Sequence, residues 1–201
     1  MTPDSTGGAM RPDASLLSGY EVVVGVCGGI AAYKVASLVS ALVQRGAGVT
    51  VAMTSAAQRF ITPLTFQSLT ARQVFTDLWE AENYHDPQHL NLTEAADLFI
   101  VAPATANMIG KMACGLADDL LSTMMLSAAC PVLLAPAMNT RMWENPIVQK
   151  NLESLRSRGY QVTPPGEGWL ACRTIGAGRM AEPQQILDQA IGLLRKSPPR
   201  R

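Results

Sequence analysis

A chain of 201 residues, 48% hydrophobic but only 5% aromatic, has apolar mass for one domain core, packed from small aliphatic side chains rather than aromatic platforms. Its 16 Lys and Arg residues balance 16 Asp and Glu, so no global field draws it to nucleic acid or to an anionic membrane. The cysteines at 27, 114, 130 and 172 form no C-x-x-C pair, no apolar run is long enough to span a bilayer, and Met1 to Gly19 lacks a signal-peptide core. A cytoplasmic protein with free thiols is expected.

Met1 to Gly19 is polar and rich in Pro, Gly and Ser, and reads as a disordered tail; a single domain over 20–195 follows, with a second tail at 196–201. Glu21 to Val26 (EVVVGV) reads as a strand covered on both faces. Cys27-Gly28-Gly29 turns into a helix from Ile30 to Arg45 that stops at Gly46. Val49 to Met53 is a second strand, closed by Thr54-Ser55, and Pro63 to Leu69 a short helix. Arg72 to Gln88 is irregular and leads into His89-Leu90-Asn91-Leu92. Leu98 to Ala102 is a buried strand broken by Pro103; a helix over Ala106 to Ala113 ends at Gly115, and Asp118 or Asp119 caps the next. Val132 to Ala135 is a strand stopped by Pro136, and Asn145-Pro146 opens a helix to Arg158. Tyr160 to Val162 is an edge strand, Pro164 to Gly178 a long loop, and Glu182-Pro183 starts the last helix.

Strand and helix alternate with no repeat or internal linker, which predicts an α/β doubly wound parallel sheet, a flavodoxin-like or Rossmann-like three-layer sandwich. Ligands of such sheets sit beyond the carboxyl ends of the strands. The segments to examine are therefore 27–30, 54–60, 103–107 and 136–143.

Gly28-Gly29 lets the backbone approach a ligand, and the helix after it offers N–H groups to an anion; a tight strand-to-helix turn explains the pair about as well. No full G-x-G-x-x-G is present, and Thr54-Ser55 stands where an NAD-binding strand ends in an acid. Hydroxyls there suit a phosphate, favouring a mononucleotide such as FMN. In Pro103-Ala104-Thr105-Ala106-Asn107 the small side chains leave room for a flat ring, with Thr105 and Asn107 as hydrogen-bonding groups, or they form a helix cap. Pro136 to Trp143 (PAMNTRMW) sets an amide between methionines: Asn139 can hold a carboxylate through its NH₂, or the segment simply packs and turns. His85 and His89 have zinc-like spacing, but Pro87 intervenes and no H-E-x-x-H glutamate accompanies them, so no metal is expected. Cys27, Cys114 and Cys130 read as packed thiols. Cys172 sits in Gly168 to Arg173, where the neighbouring cation lowers its pKa.

Five ordered segments together resemble the homo-oligomeric flavin-containing cysteine decarboxylases, in particular those acting on phosphopantothenoylcysteine: Gly28 to Lys34, His89 to Leu92, Ala102 to Asn107, Pro136 to Trp143, and Leu170-Ala171-Cys172 with Gly176 to Met180. The resemblance runs from Glu21 to Leu194. It implies FMN held by Gly28, Gly29, Ile30, Thr54, Ser55, Ala56, Phe60, Thr105, Ala106, Asn107 and Met108. It implies substrate contacts from Ala137, Asn139, Met142 and Met180, with His89 as base and Cys172 as the acid that completes reduction to the thiol. The expected reaction converts 4'-phospho-N-pantothenoylcysteine to 4'-phosphopantetheine in coenzyme A synthesis, in trimers or tetramers of trimers whose sites are shared, with His89 coming from the adjacent protomer. Many bacterial members carry a synthetase domain after the decarboxylase; the resemblance leaves either a stand-alone enzyme or a partner domain outside these 201 residues. Peptidyl-cysteine decarboxylases share P-x-M-N-x-x-M-W but stop at the enethiol, flavin prenyltransferases lack that stretch, and regulatory flavin-loaded trimers carry acidic tails. One departure stands out: the family usually has Gly where this chain has Arg173, which costs about 1 kcal/mol if φ is positive there.

Overall fold

The computed structural model describes residues 15–78 and 88–200, with 88–91 described by their backbone alone. The first strand, β1 (Glu21–Val26), is buried after its first residue. Its side chains alternate between two cores: Val22, Val24 and Val26 join one cluster, Val23 and the following Cys27 the other. A strand buried on both faces requires a helical layer on each side. After it come α1 (Ala32–Gln44), β2 (Gly48–Met53), a 3-10 turn (Ala57–Arg59), α2 (Pro63–Thr70) and the short β3 (Val74–Phe75). The middle of the chain forms α3 (Gln88–Ala95), β4 (Leu98–Ala104), α4 (Ala106–Cys114), α5 (Leu120–Ser127) and β5 (Val132–Pro136). The remainder forms α6 (Thr140–Trp143), α7 (Pro146–Ser157), β6 (Gln161–Val162), the antiparallel pair β7 (Gly166–Trp169) and β8 (Ile175–Arg179), and α8 (Pro183–Leu194).

Six strands pair in parallel in the order β3-β2-β1-β4-β5-β6. Helices α1, α2 and α8 supply Leu38, Phe66 and Leu187 to one core; α4, α5 and α7 supply Met108, Leu121 and Leu152 to the other. This is the expected three-layer doubly wound sandwich, and β6 lies at its edge as anticipated. No helix among the described residues is long and apolar enough to cross a membrane.

Four details differ from expectation. β4 continues through Pro103 to Ala104, because the pairing register with β5 shifts between Val101 and Ala104 and frees that position from the ladder. The stretch 164–178 contains the β7–β8 hairpin rather than a structureless loop. At the amino end, residues 15–19 turn back on the domain and Leu17 is fully buried. At the other end, Arg200 N donates to Asp97 Oδ1 at 2.8 Å and Tyr20 Oη donates to the Ser197 carbonyl at 2.9 Å, so 196–200 are seated against the sheet. Asp97 takes both this bond and one from Glu21 N at 2.8 Å, a pairing across the fold that a local reading of polarity misses.

Asp119 shows how one polar residue fixes a helix start. Its Oδ1 accepts from Ser122 N at 2.8 Å, Ser122 Oγ accepts from Asp119 N at 3.1 Å, and Lys111 Nζ lies 2.5 Å from Oδ2. Burial opposes ionisation of this carboxyl, but the bonds from Lys111 and Ser122 together outweigh it and hold its pKa below the usual value. Asp119→Ala should cost about 1 kcal/mol in urea unfolding at pH 7. A depressed folded pKa stabilises above the unfolded pKa and is lost as pH falls through the folded one, so the gap between wild type and variant should close in acid.

Candidate functional site

The strand order reverses between β1 and β4: α1 leaves β1 over one face, and α4 leaves β4 over the other. The two turns diverge and leave a crevice at the carboxyl ends. Gly28 lies on its β2 side, where a Cβ would stand 2.8 Å from the Ala56 carbonyl carbon, so this glycine is required for packing the turn on the 54–56 segment. Gly29 faces the opening; a Cβ there would meet nothing closer than Pro103 Cγ at 3.8 Å and Thr105 Cγ2 at 3.9 Å. The two glycines thus have separate tasks, one closing a seam and one leaving a shelf.

Hydroxyl groups around the shelf are used in different ways. Thr54 Oγ1 accepts from Ala57 N at 3.2 Å and Thr105 Oγ1 accepts from Met108 N at 3.3 Å, each capping the turn behind it. Ser55 and Asn107 are exposed. Helix α1 starts with neither a side-chain cap nor an acid in its first turn, so its positive end is not neutralised locally. Ile30 and Phe60 expose 58% and 50% of their surface, placing apolar area on either side of the crevice mouth.

Beside the shelf a cleft of about 630 Å³ runs from Gly29 and Ile30 past Ala137 and Asn139 to Cys172 and Met180. Asn139 caps α6 by accepting from Met142 N at 2.9 Å through Oδ1, which leaves its NH₂ for a ligand. The roof is the β7–β8 hairpin. Its base is fixed to the strand-end segment: Met138 N donates to the Gly178 carbonyl and Thr140 Oγ1 to the Ala177 carbonyl, both at 2.9 Å. Gly178 has φ of 115° and faces the Met138 carbonyl closely, a conformation and an approach that exclude a side chain. The tip is free of such ties and carries Cys172, exposed, with Sγ 3.1 Å from Thr174 Oγ1.

The thiols divide by environment. Burial pushes Cys27 up to about 12 and Cys130 up to about 11, so both stay protonated and inert. Cys114 is exposed, contrary to the packed environment expected, because it closes α4 on its outer side. The Cys172 thiol is held below its ordinary pKa, first by the Thr174 hydroxyl, with backbone N–H groups assisting and Arg141 as the contributing cation. Neighbouring Arg173 is therefore not the residue that activates it. At the cleft wall, Lys34 Nζ and Arg179 Nη2 both lie 2.9 Å from Glu182 Oε1, and the Lys34 bond is the main reason the pKa of that carboxyl lies below its usual value.

Of the residues singled out in the sequence, Gly29, Ile30, Ala137, Asn139, Cys172 and Met180 line this one cleft. Thr54, Ser55, Ala56, Phe60, Thr105, Ala106, Asn107 and Met142 do not line it; the first seven belong to the neighbouring turns, and Met142 is 42% exposed on α6. Met108 is buried in the core under α4, so its side chain is unavailable to a ligand, and Met180 lines the cleft while packed at 1% exposure. Met138 and Trp143 are partly buried against that same core, the packing role that the sequence left open. His89 falls in the first turn of α3, and its side chain lies outside the described residues, as does His85. Sequence reasoning missed Trp169, Tyr33 and Arg179 as cleft-lining groups. Each lay inside a segment the sequence had marked, Tyr33 with Lys34 in the G-G-I-A-A-Y-K run, Trp169 in Gly168 to Arg173 and Arg179 in Gly176 to Met180, without a role assigned to it.

Arg173 takes φ of 63°. Arg173 N donates to the Leu170 carbonyl and Leu170 N to the Thr174 carbonyl, both at 2.9 Å, which makes Ala171-Cys172-Arg173 a three-residue hairpin loop with its left-handed position at Arg173. Glycine suits that position and arginine strains it. Arg173→Gly should raise stability by about 0.5–1 kcal/mol, read as a higher urea midpoint at unchanged slope.

The flavoprotein family matches residues 10–195. The coenzyme A biosynthesis bifunctional protein CoaBC of Bacillus subtilis (strain 168) is 48% identical over 175 residues, which is 87% of this chain and 43% of that protein. The chain therefore spans less than half the length of that relative. A cysteine-to-serine variant of PPC decarboxylase, solved with pantothenoylaminoethenethiol, matches with a TM-score of 0.79 at 32% identity over 89% of this chain and 99% of that one. The FMN-dependent cysteine decarboxylase SpaF matches with a TM-score of 0.77 at 29% identity over 89% and 98% of the two chains. On the extent of these matches, the chain belongs to the flavoprotein family.

Proposed function

We propose that this chain decarboxylates 4'-phospho-N-pantothenoylcysteine to 4'-phosphopantetheine with FMN as cofactor, as a step of coenzyme A synthesis. The observation that carries the reading is the cleft in which an amide with its NH₂ unengaged, Asn139, and an exposed thiol of lowered pKa, Cys172, adjoin a glycine shelf at the switch point. The names of the bacterial relative and of the solved PPC decarboxylase point to the same step.

The residues present fit FMN. The Gly29 shelf admits a flat ring, Ile30 and Phe60 offer apolar area beside it, and Ser55 with the uncapped start of α1 suits a phosphate. Gly28, Gly29, Ile30, Thr54 to Ala56, Phe60 and Thr105 to Met108 would hold it, with Met108 contributing only backbone. Bound FMN would supply the reversible two-electron oxidation that makes loss of CO₂ from a cysteine possible.

The protein's own part is orientation and proton movement. Asn139 would donate from Nδ2 to the substrate carboxylate, its Oδ1 being fixed by Met142 N. Ala137 and Met180 would bound the substrate chain, and the hairpin would exclude water above it. His89 would take the substrate proton as base, and Cys172 would give its Sγ proton to a carbon of the enethiolate left by decarboxylation. The solved cysteine-to-serine relative holds an aminoethenethiol, which is what a site without its thiol acid would retain. We place the enzyme in the cytoplasm as a trimer or a tetramer of trimers, with His89 reaching the cleft of an adjacent protomer.

Product mass after incubation with phosphopantothenoylcysteine tests this directly. Purified protein with FMN should release CO₂ and yield the reduced thiol. A product two hydrogens lighter would indicate a peptidyl-type enethiol-forming enzyme, and no release at all would sink the decarboxylase reading. Cys172→Ser should still release CO₂ but accumulate the enethiol. His89→Asn should lose roughly 10²–10⁴-fold in rate, the usual contribution of a positioned acid or base.

A further inference from the structure

Thr174 is the one side chain hydrogen-bonded to Cys172 among the described residues, and nothing in the proposed reaction has yet used it. The loop geometry explains how two side chains so close in sequence come together. With Arg173 left-handed and Leu170 N bonded to the Thr174 carbonyl, the chain doubles back after the tip, and Thr174 Oγ1 returns to 3.1 Å from Cys172 Sγ. The strained arginine position and the thiol contact are thus parts of one turn. Glycine at 173 would allow the same turn, whereas an extended residue there would carry Thr174 away.

We propose that Thr174 is a positioning residue for Cys172, holding the thiol at the cleft and donating a hydrogen bond to the sulfur once its proton has left. The proposal rests on the reading of Cys172 as the acid that protonates the enethiolate. In that step the Sγ–H bond breaks, a C–H bond forms on the substrate, and the negative charge moves from substrate to Sγ. A thiol can share its proton with a hydroxyl oxygen, and a thiolate can only accept. A threonine hydroxyl serves both states by rotating its hydrogen, with no movement of heavy atoms. Proton return from water then resets the pair.

The charged groups around the tip do not replace this bond. Arg141 on α6 acts on the thiol through its field, but it makes no hydrogen bond to Sγ and, like Arg173, has no carboxylate within 4.0 Å among the described residues. Lys34 on α1 and Arg179 on β8 are both engaged by Glu182, and Glu167 is exposed on β7. Exposed charges at such distances are weakened by salt, while a hydrogen bond at 3.1 Å is not.

The test uses the FMN-loaded protein and two variants, Thr174→Val, which keeps the shape and removes the hydroxyl, and Thr174→Ser, which restores it. Iodoacetamide alkylation of Cys172 is followed against pH by peptide mass, with exposed Cys114 as the internal reference. Thr174→Val should slow Cys172 at pH 7.5 on the order of threefold to tenfold and move its profile to higher pH, with Cys114 unchanged and Thr174→Ser close to wild type. With phosphopantothenoylcysteine, Thr174→Val should raise the share of unreduced enethiol, again restored by serine. A wild-type alkylation profile in Thr174→Val overturns the proposal, and so does a shifted profile with an unchanged product ratio. Absence of CO₂ release from every form, wild type included, would instead remove the decarboxylase reading while the alkylation profiles still judge the Thr174–Cys172 bond.

Discussion

Burial of β1 on both faces is the constraint from which the site follows. Val22, Val24 and Val26 need cover on one side, Val23 and Cys27 on the other. Right-handed crossovers can supply both covers only if the chain winds outward from β1 in two directions, first through β2 and β3, then through β4, β5 and β6. The turns after β1 and β4 must then part company, and the gap between them cannot be filled by either connection. Gly28 seals the β2 side of that gap against Ala56, and Gly29 leaves the other side open. A site at this place is a consequence of how the sheet is covered.

On this floor the molecule adds a roof of different construction. The floor is made of buried aliphatic strands, whose stability comes from area removed from water. The roof is a glycine-rich hairpin with little to bury: β7 alternates half-buried and exposed residues, β8 buries only Gly178, and the base is tied to Met138 N and the Thr140 hydroxyl. Few buried contacts and an anchored base leave the tip as the part that can open at small cost. The role proposed for Cys172, meeting substrate from above and regaining a proton from solvent between turnovers, suits such a tip. Cys27 illustrates the alternative, since a thiol beneath the floor is pushed up to about 12 and cannot exchange its proton usefully.

What the sequence revealed follows the same division. The four inner strands were legible because doubly buried strands are continuous β-branched and aliphatic runs, and α4, α5 and α7 announced themselves through Thr105, Asp119 and Asn145 caps. The β7–β8 hairpin was not legible: Gly166, Gly168, Gly176 and Gly178 read as loop, and the bonds that fix its base come from Met138 and Thr140, far away in sequence. The site was legible as a set of segments but not as contacts. Gly28 and Gly29 are adjacent in sequence yet do different things, Met108 faces the core, and the activator of Cys172 is Thr174 rather than Arg173. Which neighbour touches a side chain in a tight turn depends on backbone handedness, and composition does not encode that.

Arg173 itself is where local preference and the observed backbone disagree, and such disagreements concentrate at functional sites. Its left-handed conformation costs about 1 kcal/mol relative to glycine, spent in a hairpin that has little stability of its own. The neighbouring residues show what the conformation secures: the Leu170–Thr174 closure and the 3.1 Å approach of hydroxyl to thiol both depend on the chain turning left at that residue. Either arginine or glycine at this position gives the turn, so the turn alone does not account for the arginine. Its guanidinium has no carboxylate partner among the described residues. The field acting on the Cys172 thiol comes from Arg141 on α6 rather than from Arg173. What the strain at Arg173 holds in place is the turn itself, and with it the Thr174 hydroxyl beside the Cys172 sulfur.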